Sequence, residues 1–211
     1  MKLNYSKTKF VLFNPTLKFD FIPELSIEGS DIETVEKIKL LGIVLSNDLK
    51  WKGNTEEMVK KASSRLWMVK RLKKLGAGME DLKDVFIKQT RSILEFGAPV
   101  WNSGITKEES NDIERVQKSF LYIVLQKEYT SYETALNEIG LETLKERRLK
   151  LCVNFARKAA KDPKHSHWFV PFEQCGAKTR SEKNHYQVPL GRLERFKNSP
   201  IPYLTNLLNE L

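Results

Sequence analysis

Ile38-Lys39-Leu40-Leu41-Gly42-Ile43-Val44-Leu45, followed by Asp48-Leu49-Lys50-Trp51, is the stretch from which the rest of the chain is read. The run from 40 to 45 is continuously apolar, which predicts a strand element buried on both faces. Past Trp51 the apolar period changes from that of a strand to that of a helix. Met58, Ala62, Leu66, Val69 and Leu72 then fall on one stripe. Asn54 and Glu57 have the spacing of a capping box, and Gly76 is placed to end the helix in a left-handed conformation. The segment 35–74 therefore reads as an apolar hairpin joined to a long helix crowded with lysine and arginine.

Upstream of it, Lys7-Thr8-Lys9-Phe10-Val11-Leu12-Phe13 is β-prone and stops at Asn14-Pro15. Leu25-Ser26-Ile27-Glu28 alternates and ends at Gly29-Ser30. These runs predict a small antiparallel sheet, too slight to fold alone. Downstream, Leu82, Val85, Phe86, Ile93 and Leu94 mark a second helix closed by Gly97 and Pro99. Thr106 with Glu109 opens a third, carrying Ile113, Val116, Phe120, Ile123 and Val124 on one side. Thr130 with Glu133 starts a short helix, and Leu141, Leu144, Leu151, Cys152, Phe155 and Ala159 mark a long one ending before Asp162-Pro163. Beyond Pro163 the period fades. Ser199-Pro200-Ile201-Pro202 is expected to be extended, because proline biases its predecessor away from helix, with a last short helix over 203–211. The expected fold is α+β and mainly α: a short N-terminal antiparallel β element over 1–52, a helical bundle over 53–162 and an irregular wrapping tail over 163–211.

The 211 residues are 40% hydrophobic and 30% charged, which suits a globular chain of one or two domains. No apolar run approaches the roughly 20 residues of a membrane span, and the N-terminus has no apolar signal core. With two cysteines, Cys152 and Cys175, a disulfide framework is excluded. The expected setting is intracellular, nucleus or cytoplasm, with no membrane association and no secretion. The net charge of +9 is unevenly spread: residues 51–105 carry eleven basic and six acidic side chains, whereas 1–50 are balanced. Local excess of this kind favours a polyanion partner.

Within the basic helix, Lys60, Lys61, Arg65, Lys70, Arg71, Lys73 and Lys74 occupy positions outside the apolar stripe. Long cationic side chains there can neutralise phosphates, or can simply form a solvated helix face. The tail residues Arg180, Lys183, His185, Tyr186, Arg192, Arg195 and Lys197 interleave charge with aromatics. They suit either a nucleic acid clamp or a segment that buries Trp168, Phe169, Phe172, Tyr186 and Phe196. His165-Ser166-His167 is a close pair of the kind a zinc site uses, but Cys175 and His185 are singletons, with Cys152 far upstream, so no zinc site is expected. Glu56-Glu57 and Glu108-Glu109 are explained by first helical turns. There is no Gly-rich phosphate loop and no nucleophile elbow. No residue is assigned a catalytic or metal-binding role.

The order of several short motifs resembles the reverse transcriptases of jockey-like non-LTR retrotransposons, over the part downstream of their catalytic centre. Asn4-Tyr5-Ser6-Lys7-Thr8 is similar to the segment that follows the active-site hairpin, Leu40-Leu41-Gly42-Ile43 to the Leu-Gly turn of the primer grip, and Asp48-Leu49-Lys50-Trp51 to the entry into the thumb. Leu94-Glu95-Phe96-Gly97-Ala98-Pro99-Val100-Trp101 resembles a family stretch ending in tryptophan, with Gln117 in the helix that follows. Tyr132, Ala135-Leu136, Gly140-Leu141, Leu144 and Arg147-Arg148 follow a spaced C-terminal pattern of the family. So do Trp168-Phe169-x-Pro171 and Ser199-Pro200-Ile201-Pro202-Tyr203-Leu204. Lys9 stands where the family often has glutamate, and Asn54 where it often has histidine.

The resemblance implies that Leu41 and Gly42 position a primer terminus and that Lys60, Lys61, Arg65, Arg71 and Lys74 touch template–primer phosphates. Five such contacts give an expected salt slope of about −3.5 to −4.5. Lys7 would lie near an incoming nucleotide. Arg147-Arg148 either belong to this machinery or pair with Glu138, Glu142 or Glu146. The family polymerase uses magnesium held by aspartates that have no counterpart here, so no cofactor is expected in this chain and no polymerase activity from it alone. The expectation is a truncated fragment of an RNA-directed DNA polymerase that retains RNA/DNA template–primer binding, with the palm and fingers as its missing partner if it belongs to a longer product. The alternatives are a protein-interaction or self-association module docking through residues 10–13 and 40–45, or a pseudogene product without function.

Overall fold

In the computed structural model, residues 4, 7–13, 24–172 and 186–210 are described. The chain is α+β and mainly α, and it divides into two compact units, Met1–Glu57 and Met58–Leu211.

Among the described residues, the first unit holds three separate two-stranded ladders, where the sequence suggested one antiparallel sheet. β1 (Lys9–Phe10) pairs in parallel with β4 (Glu33–Thr34), and β2 (Ser26–Ile27) pairs with β3 (Ser30–Asp31). β5 (Lys37–Leu40) and β6 (Ile43–Ser46) form an antiparallel hairpin in which Leu40 faces Ile43 across the turn. Burial on both faces does not hold: Leu40 is 56% exposed and Leu41 is 87% exposed. Ile32 is the one buried hydrophobic side chain in this unit among the described residues. So slight a core leaves hydrogen bonds to hold the hairpin in place.

Helix α1 (Lys52–Lys74) starts two residues before the expected cap. Asn54 is therefore inside the helix, where its Oδ1 accepts the amide of Val44 at 3.1 Å and ties β6 to the helix start. Glu56 and Glu57 lie in the second turn rather than the first, and they pair with Lys52 and Lys39. At the other end the expected glycine stop is present. Gly76 takes φ +84°, the Gly76 amide donates to the Lys73 carbonyl, and the Ala77 amide donates to Leu72. This reciprocal pair satisfies carbonyls that the last turn leaves open.

In the second unit, Leu82, Phe86, Thr90 and Leu94 are all buried. A spacing of four residues drifts about 40° per step on an α-helix of 3.6 residues per turn. The chain compensates by widening: α2 (Met79–Val85) passes through a π-helical segment, Phe86–Arg91, into α3 (Ser92–Glu95). Pro99, expected to close this helix, instead sits in the first turn of α4 (Ala98–Trp101), where its missing amide is not needed. α5 (Lys107–Leu125) starts at the expected Thr106–Glu109 capping box. α6 (Tyr132–Ile139) is capped by Ser131 rather than Thr130, and α7 (Leu144–Lys161) by a Thr143–Glu146 box. Along the stripes marked in the sequence, Leu72, Val85, Ile93, Ile123 and Leu151 are half-buried and Phe155 is exposed.

Two features lock these helices together. Phe86 stacks on Phe120 with ring centroids 4.1 Å apart. Glu114 of α5 accepts the Lys145 amide at 2.7 Å and the Leu144 amide at 3.3 Å, so one helix supplies a carboxylate to the positive start of another. The Tyr132 hydroxyl donates to the same carboxylate, and burial together with that bond pushes the phenol pKa up.

Arg148 is 1% exposed and, among the described residues, has no carboxylate in hydrogen-bonding reach. Its Nε donates to Asn102 Oδ1 at 3.0 Å and its Nη2 to Ser110 Oγ at 2.8 Å, with the Trp101 ring 6.0 Å away. Burial holds its pKa below the usual guanidinium value. Arg147, by contrast, makes a two-nitrogen contact with Glu95, which Arg91 also approaches at 3.5 Å. The expected local partners are engaged elsewhere: Glu142 with Lys150, and Glu146 with the Thr143 cap.

The tail is more regular than its sequence suggests. α8 (Glu194–Lys197) precedes α9 (Pro200–Asn209), so the Ser199-Pro200-Ile201-Pro202 stretch expected to be extended enters a helix through its prolines. Leu204, Leu207 and Leu208 pack with Cys152, Ala156, Ala159 and Phe169. Trp168 and Tyr186 are partly buried against this cluster, whereas Phe196 is 43% exposed. Tyr186 and Asn209 exchange two hydrogen bonds of 2.9 Å.

Arg148→Ala leaves the Asn102 and Ser110 partners unpaired in a closed core, and is expected to lower unfolding stability by about 2–4 kcal/mol. Thr143→Ala, which removes a cap, is expected to cost about 1 kcal/mol. Urea denaturation of the full chain measures both; equal, sub-0.5 kcal/mol effects (roughly the surface-substitution range) would contradict the core role of Arg148.

Candidate nucleic-acid interface

Burial sets the rotation of α1. Met58, Ala62, Leu66 and Val69 are each 8% exposed or less. At 3.6 residues per turn, this places Lys60, Arg71 and Lys74 in one outward sector, together with Trp67 and Lys70. Lys61 and Arg65 fall on the opposite shoulder. The five phosphate-binding candidates are therefore not one cluster: three share a face and two do not.

What marks these cations is that six of them without an ion partner share one helix. Some surface cations have nearby acids, such as Lys52 with Glu56, Lys88 with Asp84, Arg115 with Asp112 and Lys197 with Glu194, whereas others, such as Lys107, Lys145, Arg157, Lys158 and Lys161, have none among the described residues. Among the described residues, Lys60, Lys61, Arg65, Lys70, Arg71 and Lys74 have no ion pair or hydrogen bond from their charged ends. Their charge is uncompensated along a helix about 35 Å long. Lys73 is the exception. Its ammonium donates to the carbonyls of Ile123, at 3.0 Å, and Val124 near the end of α5. A cation there meets the negative end of the helix dipole, so Lys73 is a structural residue.

Beside this face, α1 and α5 border an open groove of about 630 Å³. Trp67 and Tyr122 on its walls are 58% and 63% exposed, and Tyr129 meets Tyr122 edge-on at 5.8 Å. Lys70 and Lys118 supply charge, and among the described residues no acidic side chain lines it. Sequence reasoning missed these aromatics. Trp67 was detectable, since it falls opposite the apolar stripe; Tyr122 and Tyr129 depend on the tertiary packing.

In the first unit, the hairpin turn is the other candidate element. Leu41 has φ +48° and Gly42 φ +90°, so both turn residues are left-handed. Two-residue turns of this kind match the twist of the strands but favour Asn-Gly. For leucine the conformation costs roughly 1–2 kcal/mol. The turn thus presents a strained and almost fully exposed leucine. At the hairpin's far end, Ser46 Oγ lies 2.6 Å from Asp48 Oδ1 and 2.8 Å from the Lys50 carbonyl, and the Lys50 amide donates to Asp48. These bonds hold the Asp48 carboxyl below the usual carboxylate range.

The remaining candidates lie apart from these features. His165 bonds Asp162 and meets Trp168 edge-on, as does His167. Cys152 is fully buried, and burial pushes its thiol up to about 11, the mark of an inert core cysteine. Cys175, Arg180, Lys183 and His185 fall outside the described residues, as do Tyr5 and Ser6 of the first motif. Lys7 is exposed. No helix of the described residues is long and apolar enough to cross a membrane.

No protein family, curated protein or solved structure matches the chain.

Leu41→Asn relieves the turn strain while keeping its geometry. Amide exchange across β5 and β6 is expected to slow about fivefold, the equivalent of about 1 kcal/mol. Unchanged or faster exchange would contradict the strain assigned to Leu41.

Proposed function

We propose that this chain is a binding element of an RNA-directed DNA polymerase of the jockey-like retrotransposon type, holding template–primer through one face of α1. The observation that carries this reading is the uncompensated cationic sector of Lys60, Arg71 and Lys74. Each head can neutralise a phosphate and release a counterion without first breaking an internal ion pair. Lys61 and Arg65 sit on the other shoulder and lie outside this contact. The ordered motif resemblance supports the same reading. In that resemblance the strained Leu41–Gly42 turn corresponds to a primer-positioning element, and the metal-holding aspartates of the family have no counterpart in these residues. The proposed role of these residues is to hold nucleic acid.

The exposed Leu40 and Leu41 favour a second reading, in which the hairpin tip docks a protein partner or a second copy. Light scattering separates the two: a dimer that Leu40→Ser converts to a monomer would favour docking.

With a primed RNA–DNA hybrid, log affinity is expected to fall with log salt at a slope of about −2 to −3 for three phosphate contacts. Replacing Lys60 and Lys74 together with glutamine should flatten it by about 2. A slope near zero, or one unchanged in the double variant, would contradict the assignment.

A further inference from the structure

The groove between α1 and α5 has chemistry that duplex binding does not use. We infer that it takes a short unpaired stretch of nucleic acid, with bases stacked on Trp67 and Tyr122 and phosphates on Lys70 and Lys118. This deepens the template–primer reading and rests on it.

Three observations select this occupant. First, Trp67 and Tyr122 are 58% and 63% exposed in a groove of about 630 Å³. That volume falls within the range of roughly 300–1,000 Å³ typical of ligand sites. It suits a few stacked rings but not a double helix. Bases inside a duplex already stack on one another, so only unpaired bases can offer their faces to these side chains.

Second, the charge is of one sign. Lys70 and Lys118 line the groove with no acidic residue, and among the described residues neither has a carboxylate partner. Lys118 lies 4.9 Å from the Tyr132 ring centre and lines both this groove and the neighbouring one, where Glu114 also lies. An apolar protein segment would fill the groove but leave both lysines uncompensated, whereas a polynucleotide satisfies rings and charges together.

Third, the groove is held open by bonds of its own. The Lys73 ammonium on the carbonyls of Ile123 and Val124 ties α1 to the end of α5. Tyr129 braces Tyr122 edge-on. The stacking surface is therefore preformed.

The test compares a fluorescein-labelled single-stranded 12-mer of uridylate with a blunt 12-base-pair RNA–DNA hybrid by anisotropy at one salt concentration. Trp67→Ala is expected to weaken the single strand between about fivefold and a hundredfold, with hybrid affinity unchanged within about twofold. Trp67→Phe keeps a ring and should restore most of the loss, and Tyr122→Ala should repeat the effect. Thermal melts of each variant control for folding. If Trp67→Ala leaves single-strand affinity unchanged, or weakens both ligands equally, this inference is overturned while hybrid binding can still hold. If wild type binds neither ligand, the template–primer reading falls and this one with it. If the single strand fails to bind and Trp67→Ala instead abolishes self-association in light scattering, the groove is a protein-docking face and the inference is wrong.

Discussion

The rotation of α1 about its own axis is the constraint on which the candidate site depends. Met58, Ala62, Leu66 and Val69 turn inward, and burying each of the larger side chains is worth roughly 1.5–3 kcal/mol. Turning the helix by one residue would expose that stripe and bury Lys61 or Lys70 instead. The same burial that stabilises the helix therefore aims Lys60, Trp67, Lys70, Arg71 and Lys74 outward. The contact from Lys73 to the α5 carbonyls fixes the setting from the other side and removes one lysine from the binding face.

Behind that face, the second unit is braced by polar groups as much as by its apolar core. Glu114 joins α5, Tyr132 and the start of α7 through one carboxylate. Gln117 adds bonds to the Tyr132 hydroxyl at 3.0 Å and to the Glu142 carbonyl at 2.8 Å. Arg148 ties α7 to the segment after α4. Buried networks of this kind are destabilising when half-satisfied and rigidifying when complete. This network is not complete, since Gln117 Oε1 and Arg148 Nη1 are buried without a partner, but its bonds tie α5, the far wall of the groove, to Tyr132 and to the start of α7. Among the described residues the first unit has no comparable core, and its hairpin is held by the Asn54 side chain and the turn itself.

How much of this is legible in the sequence follows from whether each signal is local. The Thr106–Glu109 box and the Gly76 stop depend on residues within a turn of one another, and both are where their spacing places them. The α1 stripe is legible for the same reason. Local rules fail where a distant group competes. Asn54 has the spacing of a cap but bonds the Val44 amide of β6 instead. Arg147 has three carboxylates nearby in sequence yet pairs with Glu95, 52 residues upstream. Pro200 and Pro202 suggest extended chain, but proline also suits a first helical turn, and burial of Leu204, Leu207 and Leu208 decides for helix. The apolar run 40–45 suggests a buried strand, whereas Leu40 and Leu41 lie at an exposed turn. Of the candidate site, the basic face was readable from periodicity and the aromatic groove was not, because Tyr122 and Tyr129 come from a different helix and its following loop.

The central claim is that phosphates meet one particular sector of α1. Lysine acylation of the native chain, read residue by residue by mass spectrometry with and without a primed RNA–DNA hybrid, locates that contact directly. The account predicts protection of Lys60 and Lys74 by the hybrid, with Lys107 on α5 unchanged. Uniform reactivity along α1, or protection confined to lysines outside it, would contradict the account.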